Sequence, residues 1–227
     1  MSLPLVRLLQ LTTPALPVGA YTYSQGLEWV IDSGQIEGEA AVGEWIGDVM
    51  EHSLASFELP LLAALHRAWC VDDLAEVARL NEDFLASRET RELRAETVQM
   101  GYSLARLLLD LDSFSGIDGA ADALRAIDTP AFPTVWSAAA SYWHIAIGDA
   151  LPAYAWAWLE NQVMAAIKAV PMGQSAGQRL LSTLGERIPA LADRAALLPE
   201  ADWSNFAPGL AIASCRHETQ YSRLFRS

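Results

Sequence analysis

Lysine is nearly absent from this chain, with Lys168 the only one in 227 residues. Fifteen basic residues stand against 28 acidic ones, a net charge of −13. A nucleic-acid face needs clustered lysine and arginine to neutralise phosphates, so that class of partner is excluded. Cysteine occurs twice, as Cys70 and Cys215. Two distant thiols make no disulfide framework, and reduced thiols in a cytoplasm are the simpler expectation. No stretch alternates apolar and polar residues with period two between turn signals, so essentially no sheet is expected. No apolar run is clean enough for a bilayer. Leu151 to Val170 comes nearest, but Glu160, Asn161 and Gln162 sit at its middle, where a membrane is least forgiving. Pro152 and Pro171 bracket it, and it reads as a helix buried in protein. The first residues lack the basic region of a signal peptide, and Arg7, Gln10 and Pro14 interrupt their apolar run.

Catalytic signatures are missing too. There is no G-x-x-x-x-G-K-[ST] loop, and Lys168 is followed by Ala-Val-Pro. No G-x-G-x-x-G follows a strand. A di-iron bundle needs Glu three residues before His, yet Val49, Ala63, Ser141 and Ser214 precede the four histidines at that spacing. No H-x-x-x-H pair exists, and no nucleophile stands out with its base. No catalytic residue and no cofactor are therefore assigned. Cys215, His217 and Glu218 are the only clustered metal-ligand types. A Cys-x-His pair supplies too few ligands for a stable mononuclear site, which leaves these three a transient contact at most.

What is abundant is helical periodicity. Val42, Trp45, Ile46, Val49, Met50, Leu54 and Phe57 recur at helical spacing with Glu44, Asp48 and Glu51 between them, one amphipathic helix. Further helices are expected near residues 58–70, 73–87, 90–111, 120–127, 134–147, 152–170 and 176–188, with a shorter one from about 190. Asp72, Asp73 and Thr129-Pro130 look like helix starts, Gly148 and Gly185 like helix ends. Residues 110–119 read as a loop. The expected architecture is an all-α, single-domain bundle over residues 1–227, of roughly eight to ten helices, the eight tryptophans mostly in its core.

Four constellations stand out. Residues 16–28, Leu-Pro-Val-Gly-Ala-Tyr-Thr-Tyr-Ser-Gln-Gly-Leu-Glu, place a Pro17–Gly19 turn before Tyr21 and Tyr23, with Ser24 and Glu28 spaced to share a helix face. Residues 89–101 form a Glu/Arg helix, with Arg88 and Glu92 spaced to pair and the whole readable as a solvated face. Its Gly101 costs about 1 kcal/mol against alanine in a helix and so suggests close helix approach. Residues 161–178 run through Lys168 to Pro-Met-Gly-Gln-Ser-Ala-Gly-Gln, where Ser175 can cap a helix and Gln174 lies at its entrance. Residues 215–227 are basic, with Arg216, Arg223 and Arg226 against Glu218 alone. Arginine beside Tyr221, Leu224 and Phe225 is a docking composition rather than that of a frayed end.

Together these stretches, spread from Leu16 to Ser227, resemble the UreF family of urease accessory proteins. Departures are confined to Thr97, Lys168 and Met172, where serine, arginine and leucine are commoner. The resemblance implies an all-α, non-catalytic homodimer that bridges UreD (UreH) to the GTPase UreG while nickel is delivered to apo-urease. It implies that the segment from Arg216 onward, including His217, Glu218, Tyr221, Arg223, Leu224, Phe225 and Arg226, is ordered by UreD/UreH. It also makes Tyr21, Tyr23, Ser24, Glu28, Lys168 and Gln174 candidates for GTPase-facing or dimer surfaces. An all-α enzyme with a polar cluster around Glu160 and His144 is the competing reading. A structural dimer through the tryptophan-rich helices is another.

Overall fold

A computed structural model describes residues 2–227. Among them no strand is present, and the chain runs through helices α1 (Leu3–Thr12), α2 (Leu27–Asp32), α3 (Gly38–Val49), α4 (Leu59–Cys70), α5 (Leu74–Ala86), α6 (Arg91–Asp110) and α7 (Asp112–Ser115). It continues through α8 (Ala120–Arg125), α9 (Phe132–Tyr142), α10 (Ile147–Ala169), α11 (Gln174–Gly185), α12 (Ile188–Leu197) and α13 (Pro208–His217). The all-α expectation holds. No helix among the described residues is long and apolar enough to cross a membrane.

One contiguous core joins α1 to α12. At its centre α4 packs on α9, with Leu59, Leu62, Ala63 and Trp69 against Val135, Trp136, Ala138 and Ala139, all essentially inaccessible to water. The long α10 crosses beside them and packs against α1, α2, α4, α11 and α12. Gly101 permits the close approach its presence suggests, since a Cβ there would lie 2.1 Å from the Pro130 carbonyl oxygen. Trp136 and Trp143 are buried as expected, while Trp156 is partly exposed against Gly185.

The amphipathic stretch at 42–57 is two conformations rather than one. α3 runs into a π-helical segment, Met50–Glu58, which continues into α4. Pro60 explains part of this. It lacks an N–H, so the Ser56 carbonyl has no ordinary helical donor. Ser204 supplies one from across the fold at 3.0 Å, and Ser56 Oγ returns a bond to the Ser204 carbonyl oxygen at 2.8 Å. The wider turn brings Glu58, half-buried, within 3.6 Å of Arg88.

Several boundaries differ from expectation. α1 and α13 form where no helix was assigned, both carrying a proline in the first turn, where its missing N–H costs nothing. The chain reverses at His144, at φ 55°, so Gly148 lies inside the start of α10 rather than at a helix end. Residues 110–119 contain the short α7. Asp73 and Thr90 cap α5 and α6 by accepting from Glu76 N–H and Leu93 N–H. Ser175 caps nothing, because α11 begins at Gln174 with Gly173 as its N-cap.

Candidate functional site

The conspicuous polar constellation lies where α2, the start of α6 and the C-terminal segment meet. Gln25 and Gly26 hold successive left-handed conformations, at φ 54° and 81°. A Cβ on Gly26 would lie 2.8 Å from the Ser214 backbone nitrogen, so glycine is what lets α13 close on this turn. The turn leaves Ser24 and Glu28 buried beneath the chain's last residues.

Glu28 organises those residues. Its carboxylate accepts the Leu224 N–H at 2.6 Å, the Phe225 N–H at 3.0 Å and His217 Nε2 at 3.1 Å. His217 is fully buried, and its Nδ1 meets Glu92 at 2.7 Å. Both ring nitrogens therefore face carboxylate oxygens. Glu92 also binds Arg223 at 2.5 Å. Glu218 returns along the same line and accepts the free Glu92 N–H in the first turn of α6, at 3.2 Å. A carboxylate there satisfies an orphan donor and complements the helix dipole. Ser24 donates backbone and side-chain bonds to the Ser227 main-chain oxygen at 2.7 and 2.5 Å.

One turn further along α6, Glu96 accepts from Ser227 Oγ and from Gln25 Nε2, each at 2.7 Å. Burial drives its carboxyl from 4.5 up to about 7; the two bonds oppose the rise, and the nearby Glu58 adds to it while Arg88 counters. Burial and then Glu96 also raise the Tyr23 phenol, while Arg226 works the other way. Gln25 holds the arrangement together, accepting from Trp158 Nε1 at 2.9 Å and Gln162 Nε2 at 3.3 Å.

The sequence candidates divide into two sets. Tyr23, Ser24, Glu28, His217 and Phe225 are buried and hold the C-terminal segment to the body. Arg216, Tyr221, Arg223, Leu224 and Arg226 lie on its outer side, and Lys168 and Gln174 are exposed on the neighbouring surface. Lys168 Nζ sits 5.6 Å from the centre of the Phe225 ring, a cation–π distance that joins two candidates 57 positions apart in the chain. Tyr21 is half-buried and bonds Glu160 at 3.3 Å; burial and that carboxylate push its phenol up to about 12.

Three expectations need correction. Arg88 does not pair with Glu92, because Thr90 starts the helix after Arg88; Arg88 instead approaches Glu58 at 3.6 Å. Residues 89–101 are no solvated face, since Glu96 is buried and Glu92 is engaged. His144 is exposed and does not converge with Glu160. No group of three or more potential metal ligands occurs among the described residues, and Cys215 is exposed away from the His217 ring. Sequence reasoning missed Gln25, Glu58, Glu92 and Glu96 as site residues. The available signal was Glu92 and Glu96, spaced four apart on a helix that also carries Thr97 and Gly101 toward the protein.

The family model for UreF matches residues 36–185. The urease accessory protein UreF of Azoarcus sp. (strain BH72) is 70% identical over 225 residues, covering 99% of this chain and 96% of that protein. The UreF proteins of Dechloromonas aromatica (strain RCB) and Methylobacillus flagellatus are 58% and 50% identical, with 99% and 98% of this chain and 98% and 97% of theirs covered. The chain belongs to the UreF family of urease accessory proteins.

Proposed function

We propose that this chain is a non-catalytic scaffold in urease maturation, a homodimer that joins UreD/UreH to the GTPase UreG while nickel passes to apo-urease. Family membership supports the accessory role. The observation that carries the docking part is the two-sided C-terminal segment. Its inner side, Phe225 and Ser227, is clamped by Glu28, Ser24 and Glu96, while Tyr221 and Leu224 project outward at 105% and 71% exposure. Large apolar residues held outward on an ordered strap are organised for a partner, because their ordering cost is met before binding. UreD/UreH is the partner assigned to this strap. Lys168 and Gln174, on the adjoining surface, belong to the GTPase-facing or dimer side. Any influence on nucleotide hydrolysis is exerted on the partner.

Co-purification with UreD/UreH, read with light scattering, tests this. Truncation after Ser214 would strip His217 from beneath Glu28 and Glu92 and damage the body, so the sharper variants are a chain ending at Gln220 and the pair Tyr221→Ala, Leu224→Ala. Loss of UreD/UreH binding by both, with helicity and dimer mass unchanged, is the expected result. Undiminished binding by both would move the partner surface to the helical body.

A further inference from the structure

A second buried feature lies behind the strap, and the scaffold role makes no use of it. A cavity of about 90 Å³ opens between the α1–α2 connection, α6, α9 and α10. Several waters would fit, or a ligand group of about four to six non-hydrogen atoms. Its walls include the rings of Phe132, Trp136, Tyr154 and Trp158. Its charged lining is Glu58, Glu96 and Glu160 against Arg88 alone. Arg88 is already committed, lying over the Phe84 ring at 4.2 Å and near Glu58.

Not every polar group in the lining has a partner. Glu58 receives Tyr154 Oη–H at 2.5 Å, and Glu96 receives Ser227 and Gln25. Glu160 receives only Tyr21, on one oxygen. Asn161, 8% exposed and lining the cavity, has no partner for its Oδ1. Its orientation is fixed, because Nδ2 donates to the Tyr23 carbonyl at 3.2 Å and an amide oxygen could not take that place. The cavity is thus lined by a residue with a buried unfilled acceptor, by an underused carboxylate and by aromatic faces, while the Tyr21, Gln25, Tyr154 and Trp158 donors are already spent on neighbours.

We propose that this cavity binds a single organic cation, a guanidinium or primary ammonium group on a short apolar stem. The stem would lie against the aromatic walls, with the cation bonding Asn161 Oδ1 and Glu160 and facing π density. A divalent metal fits less well, because the described residues hold no cluster of three ligating side chains and Arg88 adds an opposing charge. The chemistry serves either a free small molecule or an arginine or lysine side chain of another protein.

Calorimetry and thermal unfolding of the isolated full chain with methylguanidinium and n-butylammonium test the site without any maturation partner, so the result is independent of the scaffold reading. Saturable binding and a raised Tm are expected, with no response to n-butanol. Glu160→Gln should weaken binding about tenfold, the loss of one charge-assisted bond, and Ala157→Leu, which fills the cavity from its lining, should abolish it. Tighter binding of acetyl-Gly-Arg-Gly-amide than of methylguanidinium assigns the source to a protein side chain; the reverse order assigns it to a free molecule, and both support a cation site. No saturable binding, an equal response to n-butanol, or binding unchanged in both variants would mean that the cavity holds water or apolar solute only, and would overturn the proposal.

Discussion

The seam between α4 and α9 and the seam beneath the C-terminal strap are built from opposite materials. The first is apolar, with Leu59, Leu62, Trp69, Val135 and Trp136 excluding water and few polar groups between them. The second is a set of carboxylates, Glu28, Glu92 and Glu96, holding backbone N–H groups, a histidine, an arginine and a serine. Apolar burial scales with area and has no protonation state. Buried carboxylate bonds are directional, and removing one partner leaves its donors unpaired. The first seam therefore sets global stability. The second fixes one short segment in one place and responds to pH and to single substitutions.

Breaking the first seam gives the largest effect. Trp136→Ala should cost about 3–5 kcal/mol of global stability, seen as a lower denaturation midpoint for every probe at once. Glu28→Ala comes next and should act locally, since it removes the acceptor for Leu224, Phe225 and His217. A loss of about 2–4 kcal/mol at the strap is expected, read as fast amide exchange at 221–227 with far-ultraviolet helicity nearly intact. A parallel fall in exchange protection across α4 and α9 would show that the seams are not separable.

Glu96 sharpens the comparison through pH. Its folded carboxyl is raised to about 7, so its favourable contribution is complete below the ordinary carboxyl range near 4.5 and is lost as pH rises to about 7. The chain should lose on the order of 3 kcal/mol between those limits from this group. Glu96→Gln, which cannot ionise, should flatten that slope. An unchanged slope would place the titration elsewhere. The smallest effect belongs to a third kind of contact, the exposed cluster of Arg79 with Glu76, Asp83 and Glu200. Arg79→Ala should cost no more than about 1 kcal/mol and less at high salt.

These seams were unequally legible in the sequence. Helical spacing exposed α3 to α6 and α9 to α11, because a 3.6-residue apolar stripe is the direct imprint of a buried helix face. Gly101 announced its contact with Pro130, since only a missing Cβ allows it. The π-helical segment was hidden because its cause, Pro60 freeing Ser56 for Ser204, spans 148 positions. The C-terminal stretch stood out by composition, and its two-sidedness did not. Alternate burial of Phe225 and Ser227 depends on Glu28 and Glu96, which lie 197 and 131 positions away. Charge was read as a mark of solvent at Glu92 and Glu96, where it marks a buried anchor.

Amide hydrogen exchange at Leu224 and Phe225 in the partner-free chain tests the central claim most directly. If Glu28 clamps the strap, both amides exchange slowly in the native protein and rapidly in Glu28→Ala, while α4 and α9 stay protected in each. Fast exchange at both amides in the native chain would contradict the account, and the strap would then owe its order to the partner.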